Sequence, residues 1–232
     1  MAEWVVNQAI RSGTRVICRV HDEELAKIPM HGPLILVANH VNSLDVPLMI
    51  THLLPRPLIG LAKVETWDNP IHNLLFTMWK AIPIRRGEAD LLAFRKAKEV
   101  LDQGNILVIA PEGTRSNNGK LQQGKPGFAL LAAMSKAPIL PLAMFGGEQL
   151  GKNIRRFSRT DFYIRVGEMF KLTDGFDVRD KSTRQQITDE VMYKIAELLP
   201  KEYRGVYSDS LTEYHFIQDD EKKAPDSQGQ PT

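Results

Sequence analysis

Short runs of aliphatic residues alternate along this chain with longer segments whose apolar residues recur at helical spacing. The aliphatic runs are typical of strands buried on both faces of a sheet. Predicted strands lie at 34–38, 58–62, 81–84, 106–110, 139–145 and 161–170. Predicted helices lie at 3–20, 44–54, 70–80, 88–103, 124–135 and 182–199. Strands that alternate with helices predict an α/β fold, here a single domain with a mixed, largely parallel sheet flanked by helices.

The alternation runs over residues 29–217 without a repeat or a linker, so we expect one α/β domain there. Residues 1–28 are expected to form a separate amphipathic N-terminal helix, and the polar residues 218–232 a disordered tail. The formal net charge of +2 is too small to argue for nucleic acid, and the main basic cluster is the short segment 155–159. The single cysteine, Cys18, excludes an intramolecular disulfide.

The N-terminal segment 3–20 favours an amphipathic helix, with its apolar residues inside an arc of about 140°. Arg11, Arg15 and Arg19 stack on the opposite side. One interpretation is a helix that packs on the core with its basic face in water; the other is a helix at an anionic membrane surface. No apolar stretch is long enough to span a bilayer, and the arginines interrupt any signal-peptide core. We therefore expect a cytoplasmic protein that associates peripherally with membranes and has no transmembrane span.

Reactive or cationic residues follow four of the predicted strands at the point where each ends. They are His40 with Asp45, Lys63, Arg86, and the run Glu112, Gly113, Thr114 and Arg115. The carboxyl ends of neighbouring parallel strands meet at one edge of a sheet, which is where open α/β sheets bind their ligands. The sequence therefore predicts a site at this edge.

His40 and Asp45 are the candidate catalytic pair. A neutral imidazole can take a proton from a hydroxyl, and a carboxylate on its other nitrogen fixes the tautomer. The spacing suits a loop histidine that reaches an aspartate in the first turn of the next helix, with Asn42 or Ser43 as the helix cap. The alternative is a loop histidine without catalytic function beside an aspartate that the helix dipole stabilises.

No amino acid in the chain has the setting of a catalytic nucleophile. Gly-x-Ser-x-Gly does not occur, and Cys18 lies in the predicted N-terminal helix. We therefore expect His40 to activate a substrate hydroxyl directly. The remaining histidines lack the spacing of a zinc site, so no metal is expected.

The run from Glu112 to Arg115 is a candidate phosphate site, because it offers a glycine, a hydroxyl, backbone amides and a guanidinium. The alternative is a turn in which Arg115 pairs with Glu112. For Lys63 and Arg86, the alternative is a solvated surface cation.

Read together, these blocks resemble the glycerolipid acyltransferases, specifically the 1-acyl-glycerol-3-phosphate acyltransferase group. The resemblance covers about residues 30 to 170. Its blocks are the H-x-x-x-x-D motif from His40 to Asp45, Ile84-Arg85-Arg86, Pro111-Glu112-Gly113-Thr114-Arg115-Ser116 and Ile139-Leu140-Pro141-Leu142, supported by Ala62-Lys63-Val64-Glu65 and Lys125-Pro126-Gly127.

The resemblance implies transfer of a fatty acyl group from acyl-CoA or acyl-carrier protein to the hydroxyl of a lysophospholipid. It implies His40 as the base and Asp45 as its orienting carboxylate, with no cofactor besides the acyl donor. The implied acceptor site comprises Lys63, Arg86, Glu112, Gly113, Thr114 and Arg115. Glu112 is unusual in an anion site, so we expect it to order Arg115 or the loop.

Two features depart from the family pattern. Many members carry a long hydrophobic N-terminal anchor where this chain has the amphipathic segment 3–20, and Arg85 stands where an acidic residue is frequent. Two other functions remain as alternatives. One is a non-catalytic lipid- or phosphate-binding protein on the same scaffold, and the other is a thioester hydrolase in which the same base activates water.

Overall fold

A nine-stranded sheet with helices on both faces makes up the part of the chain described by the computed structural model, residues 2–56, 58–85, 90–116 and 118–219. Its strands are β1 (Cys18–His21), β2 (Leu34–Ala38), β3 (Leu58–Lys63), β4 (Ile82–Ile84), β5 (Ile106–Ile109), β6 (Ile139–Phe145), β7 (Thr160–Val166), β8 (Phe170–Leu172) and β9 (Ile217–Asp219). Its α-helices are α1 (Ala2–Ile17), α2 (Asp45–Leu53), α3 (Pro70–Met78), α4 (Leu91–Asp102), α5 (Gly127–Ser135), α6 (Leu150–Arg155) and α7 (Lys181–Glu197).

The main sheet has the order β1-β7-β6-β2-β5-β3-β4, with β8 and β9 added beside β6. Strands β2 to β6 are mutually parallel, whereas β1 and β7 run the other way. The expected mixed, largely parallel α/β sheet is therefore confirmed. Because β2, β5, β3 and β4 are parallel neighbours, their carboxyl ends share one edge, which we call the catalytic edge.

Strand β2 lies at the centre of the sheet and is buried along its whole length. Its side chains alternate between two apolar clusters, as the two-residue period of a strand requires. Ile35 and Val37 pack with helices α4, α5 and α7, whereas Leu34, Leu36 and Ala38 pack with α2. Burial on both faces explains why the run is continuously aliphatic.

The N-terminal segment differs from the prediction in two ways. The helix ends at Ile17, and residues 18–21 form an edge strand paired in parallel with β7, so Cys18 is buried in the sheet. Residues 1–28 are therefore not a separate helical unit.

The face that α1 presents to the domain is also not the expected one. Asn7 and Thr14 are buried, where Asn7 accepts a hydrogen bond from the Trp79 indole and Thr14 lies 3.4 Å from Nε2 of His52. One edge of the apolar arc faces outward, with Val5 53% and Val16 71% exposed. Of the two interpretations, packing on the domain is supported, with Ile17 against the core and the Arg15 side chain 53% exposed, but the most buried residues are Asn7 and Thr14 instead of the apolar arc.

Smaller differences concern the second half of the chain. The predicted strand at 161–170 is divided into β7 and β8, which both pair antiparallel with β6, and between them the Gly167 amide donates to the Pro141 carbonyl at 2.9 Å. Strand β9 includes two residues of the expected tail, and residues 220–232 lie outside the described part of the chain. Among the described helices, none is long and apolar enough to cross a membrane.

Candidate active site

Asn39 fixes the point where β2 stops. Its side-chain amide donates to the carbonyl of Met144 and accepts from the amide of the same residue, both at 2.7 Å. This buried side chain continues the pairing between β2 and β6 for one more step, in place of backbone groups. The residue that follows, His40, is thereby held at the catalytic edge.

His40 and Asp45 form the predicted pair. Nδ1 of His40 lies 2.8 Å from Oδ2 of Asp45, which is 1% exposed, and the His40 side chain is partly accessible. An ionised carboxylate only accepts hydrogen bonds, so Nδ1 carries the proton and Nε2 of the neutral ring is an acceptor. In the described part of the chain, no residue hydrogen-bonds to Nε2. The ring therefore has the tautomer that a general base needs.

Asp45 also organises the loop that carries His40. The same Oδ2 accepts the backbone amides of Val41 at 2.6 Å and Asn42 at 2.9 Å. The helix cap is Leu44, without a side-chain hydrogen bond, so the prediction of Asn42 or Ser43 as the cap was wrong. Asn42 instead accepts from the Leu44 amide and donates to the carbonyl of Gly147. The first-turn carboxylate turns back onto the loop and binds its backbone amides, which fixes the position of His40.

The loop that follows β5 is bound directly to the backbone of His40. Oε1 of Glu112 accepts the His40 amide at 3.0 Å, and the Ser116 amide donates to the His40 carbonyl at 2.8 Å. Oε2 of Glu112 accepts the amide of Gln122 at 2.9 Å. Glu112 therefore orders the loop, as expected, but within the described residues it makes no contact with Arg115.

Burial makes Glu112 electrostatically unusual. The side chain is 1% exposed, and burial raises its pKa from 4.5 to about 7, although hydrogen bonds from the His40 and Gln122 amides oppose the rise. Both carboxylate oxygens accept hydrogen bonds from backbone amides. Glu112 can therefore affect a substrate only indirectly, by positioning His40 and the loop. Its ionisation falls in the neutral pH range.

The other residues of this loop have different environments. Gly113 has φ +67°, a conformation that favours glycine, and its amide donates to the carbonyl of Ala110. Thr114 and Arg115 are exposed, and Arg115 has no ion pair within the described residues. The exposed hydroxyl and guanidinium are free to meet an anion at the catalytic edge.

Lys63 and Arg85, the residue directly after β4, lie further along the same edge. Lys63 pairs with Ile84 of the neighbouring strand β4. If the pairing of Gly60 with Val108 is continued for three residues, Lys63 is level with Pro111. The pairing of β2 with β5 puts Asn39 at the same level. Lys63 is exposed, two strands from His40, which is about 10 Å at the usual spacing of strands. Arg86 lies outside the described residues.

No described hydroxyl or thiol serves His40 as a nucleophile. Neither Ser43 nor Ser116 hydrogen-bonds to the imidazole, and Cys18 is buried in β1. Nor do three His, Cys, Asp or Glu side chains group as metal ligands in the ranges that the structure describes.

Sequence reasoning missed the residues that hold the pair in place. Asn39, Asn42 and Gly147 fix the histidine loop against the end of β6, and a Cβ on Gly147 would lie 2.9 Å from Nδ2 of Asn42. The only local signal was polar residues directly after a buried strand.

Fold and site together define an α/β protein with a histidine–aspartate pair and a cationic loop at the carboxyl ends of parallel strands. The family described as Acyltransferase matches residues 18–145, more than half of the chain, and this protein belongs to that family. The matched range runs from β1 to β6 and includes both His40 and Arg115. The family suggested by the motifs is thereby confirmed.

Individual relatives agree with this assignment. The chain is 34% identical over 115 residues to a 1-acyl-sn-glycerol-3-phosphate acyltransferase from Limnanthes alba, covering 48% of this chain and 41% of that protein. It is 24% identical over 180 residues to the enzyme of the same name from Bacillus subtilis, covering 78% and 87%. The chain thus spans about two fifths of the plant relative.

The fold is shared with a solved structure. The crystal structure of the 1-acyl-sn-glycerophosphate acyltransferase PlsC from Thermotoga maritima superimposes with a TM-score of 0.61 at 23% identity, covering 85% of this chain and 80% of that one. The likeness at this identity concerns the fold.

Proposed function

We propose that this protein transfers a fatty acyl group from acyl-CoA or acyl-carrier protein to the free hydroxyl of a lysophospholipid, with 1-acyl-glycerol-3-phosphate as the first acceptor and phosphatidic acid as the product. The observation that carries the proposal is the pair of His40 and Asp45, which leaves Nε2 open beside a loop ending in an exposed arginine. Membership of the acyltransferase family and the names of the relatives support it.

The chemistry follows from the tautomer of His40. Nε2 takes the proton of the acceptor hydroxyl while the oxygen attacks the thioester carbonyl carbon. Collapse of the tetrahedral intermediate breaks the carbon–sulfur bond, and the imidazolium gives its proton to the leaving sulfur. The products are an ester and a free thiol, and His40 is neutral again. Asp45 stabilises the imidazolium in between.

The acceptor carries a phosphate, which the cations of the catalytic edge are placed to bind. Arg115 is exposed in the loop whose Ser116 amide holds His40, and a guanidinium can make two parallel hydrogen bonds to a phosphate. Thr114 adds a hydroxyl, and Lys63 adds a positive charge further along the edge. The resemblance to the family implies Arg86 as a further member of this set.

Glu112 and Gly113 have a supporting part in this proposal. Glu112 joins the His40 amide to the Gln122 amide, so it fixes the distance between the base and the cationic loop. Gly113 allows the turn that brings Thr114 and Arg115 to the surface.

Peripheral membrane association is also part of the proposal, since the acceptor is a membrane lipid. Its structural support is the outward face of α1, where Val5, Ala9 and Val16 are exposed. An apolar stripe on a surface helix suits the boundary between lipid headgroups and acyl chains.

The proposal is tested by incubating the purified protein with acyl-CoA or acyl-carrier protein and a panel of lysophospholipids, with the lipids resolved by mass spectrometry. Phosphatidic acid should appear from 1-acyl-glycerol-3-phosphate, with one thiol released per ester formed. Absence of any diacyl product with both donors and all acceptors would refute the transferase. Free fatty acid released without an acceptor would indicate a thioester hydrolase instead.

A further inference from the structure

The segment between β6 and β7 carries an exposed phenylalanine among unpaired cations. Phe157 is 100% exposed, and Ile154 is 50% exposed one turn before it. Lys152, Arg155 and Arg156 are exposed, and within the described residues no carboxylate pairs with any of them. We call residues 152–159 the arginine–phenylalanine tip.

The backbone of the tip is ordered by hydrogen bonds. The Ser158 amide donates to the Asn153 carbonyl and the Phe157 amide to the Ile154 carbonyl, the pattern that closes many helices. In this pattern the residue at the position of Phe157 adopts a left-handed conformation, and here φ is +53°. Glycine or asparagine is usual there, because a Cβ is unfavourable.

Phe157 therefore has a backbone conformation that is unfavourable for a residue with a Cβ. None of its ring is buried within the described structure. Exposing an aromatic ring to water loses the free energy that its burial would give. A residue unfavourable in both backbone and solvation points to a function for the side chain.

The tip lies at the same end of the sheet as the catalytic edge, beside the carboxyl end of β6. Strand β7 is antiparallel to β6, with Tyr163 opposite Phe145, so Thr160 lies beyond the end of β6. The guanidinium of Arg159 donates to the carbonyls of Arg15 and Cys18 at 2.6 and 2.7 Å, which ties the tip to the end of α1. Val16, the most exposed apolar residue described in α1, is next to this junction.

We propose that the arginine–phenylalanine tip docks the protein on an anionic phospholipid bilayer, with Phe157 inserted below the headgroups and Lys152, Arg155 and Arg156 against lipid phosphates. This docking rests on the proposed function, because it brings the catalytic edge to the membrane that holds the acceptor. The unpaired positive charges complement anionic headgroups, and the apolar ring suits the acyl-chain boundary.

Vesicle sedimentation with matched variants tests the docking. Phe157→Gly removes the ring and suits the left-handed turn, so thermal unfolding should not shift downward. Its partition onto phosphatidylglycerol vesicles should fall about tenfold or more, from the transfer free energy of a buried phenylalanine. Arg155→Gln with Arg156→Gln should lower it about 25-fold, at roughly fivefold per cation. High salt and pure phosphatidylcholine vesicles should weaken binding of the wild type.

Two controls use exposed residues elsewhere in the chain. Val206→Ser removes an apolar side chain that is 63% exposed, and Lys181→Gln with Lys201→Gln removes two exposed cations. Both should leave vesicle binding within about twofold of the wild type. Equal vesicle binding by the tip variants and the wild type would overturn the docking. Loss of affinity for acyl-carrier protein with unchanged vesicle binding would overturn it in favour of an acidic protein partner.

Activity on a dissolved acceptor separates this proposal from the proposed function. With a short-chain lysophosphatidic acid below its critical micelle concentration, the tip variants should turn over as fast as the wild type. With the acceptor in anionic vesicles, they should be slower by about the factor lost in binding. A wild type that binds vesicles but acylates neither the dissolved acceptor nor any acceptor of the panel held in vesicles, with either donor, would refute the proposed function while leaving the docking intact.

Discussion

The backbone amide of His40 donates a hydrogen bond of 3.0 Å to the buried carboxylate of Glu112. The two residues are 72 positions apart and follow neighbouring strands, β2 and β5. The other oxygen of Glu112 accepts the Gln122 amide. One carboxylate thus couples the position of the proposed base to the position of the cationic loop, so its protonation state matters to both.

The first prediction concerns the pH dependence of stability. Burial raises the pKa of Glu112 from 4.5 to about 7, so between these values the folded chain keeps a proton that the unfolded chain has lost. Where the folded state binds more protons, the free energy of unfolding falls as the pH rises. A shift of this size corresponds to about 3 kcal/mol. Urea unfolding from pH 4.5 to 8 should show this fall in the wild type and a flatter profile in Glu112→Gln.

Other groups titrate equally in both proteins, so the difference between the two profiles isolates Glu112. Parallel profiles would contradict the raised pKa. Activity gives a second readout. The glutamine presents an NH2 group to one of the two amides that Glu112 accepts, so kcat should fall about tenfold or more while the carbonyl oxygen keeps the other bond.

The second prediction concerns the catalytic pair. His40→Ala should lower kcat by a factor of about a hundred to ten thousand, the usual weight of a general base. Asp45→Asn should lower it about a hundredfold or more, because an amide does not stabilise the imidazolium. Single-turnover acylation measures both.

The chain contains a matched control for the second prediction. Nδ1 of His52 lies 2.6 Å from Oδ2 of Asp22, the same pair of atoms as in the catalytic pair. This second pair lies next to helix α1, where Nε2 of His52 is 3.4 Å from the hydroxyl of Thr14. His52→Gln should cost about 1–3 kcal/mol of stability through the lost buried contact and leave kcat within twofold. If His52→Gln lowered kcat as much as His40→Ala does, the loss could not be attributed to general-base catalysis by His40.

The third prediction concerns the acceptor. Arg115 is exposed and unpaired within the described residues, so Arg115→Ala should leave the unfolding transition unchanged. Loss of a charge-assisted contact to phosphate should raise the KM for 1-acyl-glycerol-3-phosphate about 10- to 100-fold. Lys120→Ala, an exposed cation of the same connection, is the control and should change KM less than twofold. A fall in kcat without a change in KM would indicate that Arg115 acts on the reaction step instead.

Much of the fold was predictable from sequence because its central strands β2 and β6 are short and almost entirely buried. The run from Leu34 to Ala38 has one possible environment, the centre of a sheet covered on both faces, and strand β2 has those bounds. His40 and Asp45 were predictable because their contact is local, across a strand end and the first turn of a helix.

The supporting contacts of the site were not predictable, because their partners are distant backbone groups. Asn39 binds Met144, 105 residues away, and Glu112 binds the amide of His40. No spacing or periodicity in the sequence encodes either contact. The sequence predicted that Glu112 orders Arg115 or the loop, but its burial and its two partners, the amides of His40 and Gln122, came only from the structure.

The last prediction concerns the outward face of α1. The periodicity of the sequence predicted which residues form the apolar arc, but not whether that arc faces the domain or the solvent. The most buried residues of the inner face are Asn7 and Thr14, which have partners in Trp79 and His52, whereas Val5 and Val16 are exposed to water. Val5→Asp with Val16→Asp should therefore leave stability nearly unchanged, since neither side chain packs in the core. Vesicle sedimentation should fall tenfold or more, because two charges would enter the headgroup boundary. Val206→Asp, equally exposed outside α1, should bind vesicles like the wild type, and unchanged binding by the double variant would show that α1 does not touch the membrane.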